Sequence, residues 1–177
     1  GDCKAVTVDN KIYVLGGAAE ASGEQYGVNC DNPDSWSGDD WTKCYYFSDV
    51  NEMFDPAAGT VTDMAPMNVG RGDLGVAVKP NGNILVAGGE VARPSQDEFR
   101  QVATNRVEEY NVASNTWTDR APLTQAKFRH GMAMAGNRIL ALGGHPTCTE
   151  GLLQCMQDAL KSVLVYNEFP SLWLSEE

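Results

Sequence analysis

KIYVLGG (residues 11–17), NILVAGG (83–89) and RILALGG (138–144) are three short apolar runs, and each ends on two glycines. One such run reads only as a buried strand. Three of them impose a repeat. Each is followed, after a stretch of variable length, by a second set of similar segments: NEMFDPAAGTVTDMAPM (51–67), VEEYNVASNTWTDRAPL (107–123) and VLVYNEFPSLWLSEE (163–177). Phe54, Tyr110 and Tyr166 fall 56 residues apart, and Trp117 and Trp173 keep that offset, with Val61 in the place of the first Trp. Pro66 and Pro122 keep it too. Similarity at a fixed period is read before any local motif, because it sets the register in which every other residue is interpreted.

Within one unit the pattern predicts a buried strand at GMAMA (131–135), a turn at Gly136-Asn137, and a second strand at RILAL. The glycine pair ends that strand where a side chain would collide with neighbouring backbone, or where φ must be positive. After a variable loop come VEEY, the turn residues NVASN, and TWTDRAP as an outer strand. Each unit is thus expected to hold four antiparallel strands, with one aromatic from each of the last two filling the space between neighbouring sheets.

The double glycine, the Tyr followed by a Trp (Tyr110, Trp117) and the intervening turn resemble the kelch repeat. The resemblance covers nearly the whole chain outside the loops; copy one departs at Val61 and copy three stops before the Ala-Pro. Kelch repeats form the blades of a β-propeller. The resemblance therefore implies an all-β fold of about three four-stranded blades around a central channel, with repeat units at approximately 1–67, 68–123 and 124–177. A generic β-sandwich would leave three Gly-Gly strand ends unexplained. Propellers close with roughly four to eight blades, and three would leave sheet edges open. The expectation is a segment of a larger, six- or seven-bladed propeller, or a half that pairs with another three-bladed half.

The 177 residues carry a formal net charge of −11 and a pI of about 4.5. A surface this acidic repels nucleic-acid phosphates and anionic membranes, which argues against both as partners. No run approaches the roughly 18 consecutive apolar residues of a membrane span, and no basic n-region with an apolar h-region opens the chain. Of five cysteines, Cys30 and Cys44 share one irregular stretch and Cys148 and Cys155 another. Each pair would close a short loop with little core of its own. Grouped loop cysteines suggest an oxidising compartment, extracellular or in the lumen of the secretory pathway; four reduced cysteines in a cytosolic protein is the alternative. Neither spacing has the CxxC form of a zinc site. Cys3 precedes a strand and is expected to be a buried thiol, or paired outside this chain.

The loops after each Gly-Gly are long: 18–50, 90–106 and 145–162. In kelch-like propellers these loops and those before each inner strand share one face, and long loops on a rigid scaffold are where binding resides. The first contains NCDNPDSWSGDDWTKCYYF (29–47), which mixes Asp31, Asp34, Asp39 and Asp40 with Trp36, Trp41, Tyr45 and Tyr46. Carboxylates suit Ca²⁺ and aromatics suit sugar rings or a protein, but the spacing fails the EF-hand pattern. The candidate partner-binding residues are Trp36, Trp41, Tyr45, Tyr46, Arg93, Arg100, Arg129 and His145. The first reading of this stretch (29–47) is an ordinary solvated loop pinned by a disulfide, with no cofactor expected; calcium is the one cofactor the loops admit, and a glycan is a further ligand they would suit. In the third loop Leu152, Leu153, Met156 and Leu160 have helical spacing, as a short packed helix or an apolar patch would require.

GRGDLG (70–75) contains an adhesion-like Arg71-Gly72-Asp73. Seven residues beyond Pro66 lies Asp73, seven beyond Pro122 lies Arg129, and Asp2 occupies the same place in copy one. Register therefore reads Asp73 as the entry to an inner strand rather than as an adhesion signal. Catalysis finds little support. His130 and His145 lie on different strands, with His130 expected at the channel mouth, and neither forms a metal set. No nucleophile elbow is present. A copper-radical oxidase would need a Cys-Tyr crosslink and a Tyr-His pair, and neither motif occurs. The sequence thus reads as an interaction or structural module that binds a protein partner through its long loops. The rival is a segment of a carbohydrate-active propeller enzyme, copper-radical oxidase-like or sialic-acid mutarotase-like, with its catalytic residues outside this chain.

Overall fold

The computed structural model describes all residues except 26, 39, 92–101, 148–158, 169–170 and 177. The three repeat units become three four-stranded antiparallel sheets. In blade 1 the order is β1 (Lys4–Val8), β2 (Lys11–Leu15), β3 (Asn51–Asp55) and β4 (Thr60–Asp63). Blade 2 repeats it with β5 (Gly75–Val78), β6 (Ile84–Ala87), β7 (Val107–Asn111) and β8 (Thr116–Arg120). Blade 3 does so with β9 (Gly131–Ala135), β10 (Arg138–Leu142), β11 (Val163–Glu168) and β12 (Ser171–Glu176). Strand pairing inside each blade repeats one register: Val14 faces Glu52, Val86 faces Glu108, and Ala141 faces Leu164.

The core lies between the blades. Tyr110 and Trp117 are paired across β7 and β8 with rings 5.0 Å apart, and Tyr110 also meets Tyr13 of blade 1 at 6.0 Å. Tyr166 and Trp173 repeat the pair in blade 3 at 5.3 Å and pack on Leu85, Ala87 and Val107 of blade 2. Such rings remove large apolar areas from water and dominate the packing between sheets. The Trp117 indole nitrogen also donates to the carbonyl of Ala65, 2.7 Å away in blade 1.

Two expectations change because burial in this fold depends on the neighbouring blade. GMAMA is only half buried: Met132 and Met134 face blade 2, while Gly131, Ala133 and Ala135 are exposed. Cys3 is exposed rather than buried and has no disulfide partner among the described residues, as a thiol paired outside this chain would also be, although Leu74 and His130 in the same register are 0 % and 4 % exposed. The blade-2 counterparts have a blade packed against them within this chain; the exposed positions do not.

A repeated set of backbone bonds holds each blade's entry segment against the stretch after its own double glycine, and a further bond joins the second glycine to the entry of the next blade. Gly1 and Ala18 exchange bonds of 2.8 and 2.7 Å, Gly72 and Glu90 bonds of 3.0 and 2.7 Å, and Phe128 and His145 bonds of 3.0 and 2.9 Å. The Gly17 amide donates to Arg71 O (2.8 Å) and the Gly89 amide to Lys127 O (2.9 Å). Among the described residues, no helix is long and apolar enough to cross a membrane.

Candidate interaction face

The three entry residues, Asp2, Asp73 and Arg129, share a left-handed backbone, with φ of 63°, 49° and 55°. This conformation costs energy for any residue with a Cβ. It recurs because it turns each entry residue toward its neighbour: the Asp73 amide donates to Asp2 O and the Arg129 amide to Asp73 O, both at 2.9 Å. The side chains follow the same row. Arg129 Nε donates to Asp73 Oδ2 at 2.7 Å, and the guanidinium lies 5.4 Å from the Phe128 ring. The Arg129 side chain is 41 % exposed, so the pair sits at a rim that ligands can reach.

His130, one residue on, does not face the channel mouth as the sequence led us to expect. Its ring turns into the interface between blades 2 and 3 and lies against Gly75 and Gly88. Among the described residues, neither ring nitrogen has a hydrogen-bond partner. Burial, and then the charges of Lys127, Lys4 and Arg71, lower its pKa to about 4. The imidazole is a neutral wedge in the core.

Beyond the blade-1 glycines, Ala18–Glu20 pairs with Tyr45–Phe47 as a two-stranded ribbon. A second small pair, Glu24–Gln25 with Val28–Asn29, and two 3₁₀ turns, Pro33–Ser35 and Asp40–Cys44, complete the loop. Cys30 and Cys44 are joined by a disulfide with Cα atoms 5.3 Å apart. Around it Val28, Ala21 and half-buried Trp36 form a small apolar cluster. Trp36 Nε1 donates to Asn29 O at 2.9 Å, so this ring serves the loop interior. Tyr45 and Tyr46 are 40 % and 54 % exposed. The Tyr45 hydroxyl donates to Glu20 Oε1 at 3.2 Å, and partial burial followed by Glu20 and Asp2 raises its pKa.

Two acidic side chains of this loop help to hold it together. Asp40 is held at a pKa of about 2 by the Ser37 amide, Lys43 and the Ser37 hydroxyl, and Asp31 accepts from the Gly23 amide at 3.0 Å. Among the described residues, no three His, Cys, Asp or Glu side chains converge as a metal site would require. Trp41 lies in the 3₁₀ turn Asp40–Cys44. His145 opens the third loop, its ring 5.9 Å from Phe128. Arg93, Arg100, Cys148, Cys155 and the run from Leu152 to Met156 lie outside the described residues.

The adhesion-like tripeptide is built into the interior. Arg71 is 0 % exposed and Asp73 9 %, whereas an adhesion receptor needs both charges protruding. Arg71 Nη1 donates to Gly88 O and Arg106 O, each at 3.0 Å, and Nη2 pairs with the buried Glu108 carboxylate. The sequence carries no local signal for this pair, because Glu108 lies 37 residues away. A second buried network, Glu109 with Lys79 (3.0 Å), Arg120 (2.7 Å) and Asn83 (2.6 Å), was equally hidden.

No family model matches the chain. Similar curated proteins include Kelch-like protein 28 of Mus musculus, 29 % identical over 98 residues, which covers 55 % of this chain and 17 % of that protein. Kelch repeat and BTB domain-containing protein 12 of Homo sapiens is 21 % identical over 94 % of this chain. Kelch-like protein 40 of Xenopus laevis is 24 % identical over 95 % of it. The chain spans 23 % and 22 % of those last two proteins, about a fifth of their length. Among solved structures, that of YjhT superposes with a TM-score of 0.70 at 12 % identity, covering 99 % of this chain and 51 % of that one.

Proposed function

We propose that this kelch-type propeller segment is an extracellular or lumenal interaction module that takes a protein partner on the face built by the loops after its double glycines. The observation that carries the reading is the ribbon ending in Tyr45 and Tyr46. It presents two aromatic rings to solvent on a support braced by the Cys30–Cys44 bond. Exposed aromatics on a rigid support are the side chains that anchor protein interfaces, because they bring large contact area with little rotamer freedom to lose. The Asp73–Arg129 pair at the neighbouring rim adds a guanidinium able to meet an acidic group of the partner. The kelch-repeat relatives support interaction as the general task; the choice of face and of compartment is ours. The compartment rests on the disulfide, and non-reducing peptide mapping that returned Cys30 and Cys44 as free thiols would remove it.

The test is chemical cross-linking of the native protein in its own fluid, with cross-linked sites mapped by mass spectrometry. Partner cross-links are expected to fall by about tenfold when Tyr45→Ala and Tyr46→Ala are combined, as for loss of an interface anchor. Circular dichroism should stay unchanged. Cross-links that persist in the double variant, or that map to the opposite face, overturn the reading. So would oxidase or mutarotase activity in the purified protein.

A further inference from the structure

Strand β9 begins one residue after His130, and side chains along a strand alternate between its faces. Met132 and Met134 lie on the face toward blade 2, and the His130 ring turns to the same side. In blade 2 the same three positions are Leu74, Val76 and Val78, which pack on blade 1 as plain hydrocarbon. The seam between two blades therefore closes without any polar atom at these places. Between blades 2 and 3 each hydrocarbon is replaced by a side chain that carries a lone pair: one imidazole and two thioethers.

Two of these donors meet. Strands β5 and β9 lie against each other across the seam, and Gly75 leaves a space between them. A Cβ at Gly75 would strike His130 Nε2 and stand 2.6 Å from Met132 Sδ, so both atoms crowd one point. His130 is 4 % exposed, and among the described residues neither ring nitrogen has a partner. A buried polar group left unpaired is costly. Packing alone does not account for it, since Leu74 serves in the same register. Met132 is half-buried, and its unbranched side chain lets the sulfur swing onto an ion.

The donors select the ion. Burial, and then Lys127, Lys4 and Arg71, keep the imidazole neutral at pH 7, so its lone pair is available without displacing a proton. An imidazole with a soft thioether suits Cu(I). Ca²⁺ and Mg²⁺ take oxygen ligands. Zn²⁺ takes about four ligands, drawn mostly from Cys, His and carboxylates, and no such set converges among the described residues. The three neighbouring cations also weigh more heavily against a divalent guest than a monovalent one. We propose that His130 Nε2 and Met132 Sδ, with Met134 next along the same face, form a Cu(I) site in the seam between blades 2 and 3. The copper binds and stays as Cu(I), with no electron transfer. The site is separate from Tyr45 and Tyr46, and either assignment can fail without the other.

The test adds Cu(I), with ascorbate and without oxygen, to the purified protein, and measures binding against a colorimetric Cu(I) chelator. Every chain carries Cys3→Ser, because an exposed thiol would take the same ion. His130→Leu and Met132→Leu should each weaken the binding of one copper equivalent by at least about tenfold, the scale on which loss of supporting groups weakens a metal site. Met134→Leu should weaken it less. Both main variants should fold, as circular dichroism would show, because Leu74 and Val76 fill those registers in blade 2. Nitrogen NMR of the His130 ring needs neither of them: Cu(I) is diamagnetic, and the Nε2 resonance should shift as copper is added. An unmoved resonance, or an affinity unchanged in either variant, overturns the site. An equal shift with Zn²⁺ overturns the preference for Cu(I).

Discussion

Held between Gly75 and Gly88, the His130 ring has no partner for either nitrogen among the described residues, so a proton added there charges a buried group already facing Lys127, Lys4 and Arg71. Unfolding restores the ordinary pKa near 6.5 from the folded value of about 4. Between those values the unfolded chain binds the extra proton, so stability is fully present above about pH 6.5 and is lost as pH falls toward 4. Between pH 7.5 and 5 the loss is on the order of 2 kcal/mol, in a range above the titration of Asp40, whose pKa of about 2 lies far lower. Urea midpoints at the two pH values measure it. His130→Leu should flatten this dependence, since Leu74 already fills the same register in blade 2; an unchanged slope would assign the effect elsewhere. Nothing in the sequence distinguishes His130 from a rim residue such as Arg129, its neighbour. The left-handed entry backbone sends one side chain to the rim and the next into the core, and an arginine carries no local signal for that geometry.

The strand ends show which parts of the pattern were legible. The double glycines and the strand order, each repeated three times, and the Tyr–Trp pair, repeated twice, could be read because each depends on residues close in sequence. Face-by-face burial could not, since Gly131 and Gly75 are the same residue in the same register, yet one is open and the other is covered by His130 and Met132. Glycines at strand ends therefore differ in energetic weight. Gly136, with φ of 61°, has nothing within 4 Å of where a Cβ would stand. Gly136→Ala should cost about 1 kcal/mol, the penalty of the left-handed backbone alone. At Gly88 (φ 58°) a Cβ would also strike the Lys127 carbonyl and come within 2.8 Å of His130 Cε1. Gly88→Ala should cost at least roughly 3 kcal/mol, since backbone cannot yield as a side chain does. Urea unfolding of both variants measures the difference, and equal costs would show that the interface relaxes around the methyl group.

Across the whole molecule, three sheets share two interfaces, and each blade is joined to the next by an entry segment that faces both ways. Arg71 is the clearest case. Its carbonyl accepts from Gly17 of blade 1 while its side chain reaches into blade 2. The loop cysteines and exposed tyrosines were legible as types of residue, but the packing beside them was not: Val28, Ala21 and Trp36 gather around the Cys30–Cys44 bond from separate points along the loop. The two-way entry segment also has a consequence in time. A chain leaving the ribosome N-terminus first brings out Gly17 long before residue 71, so the Gly17 amide lacks its acceptor until the next blade has begun to emerge. The same delay recurs between Gly89 and Lys127. Each blade is thus finished by its successor, and the order of synthesis becomes the order in which the sheets can lock.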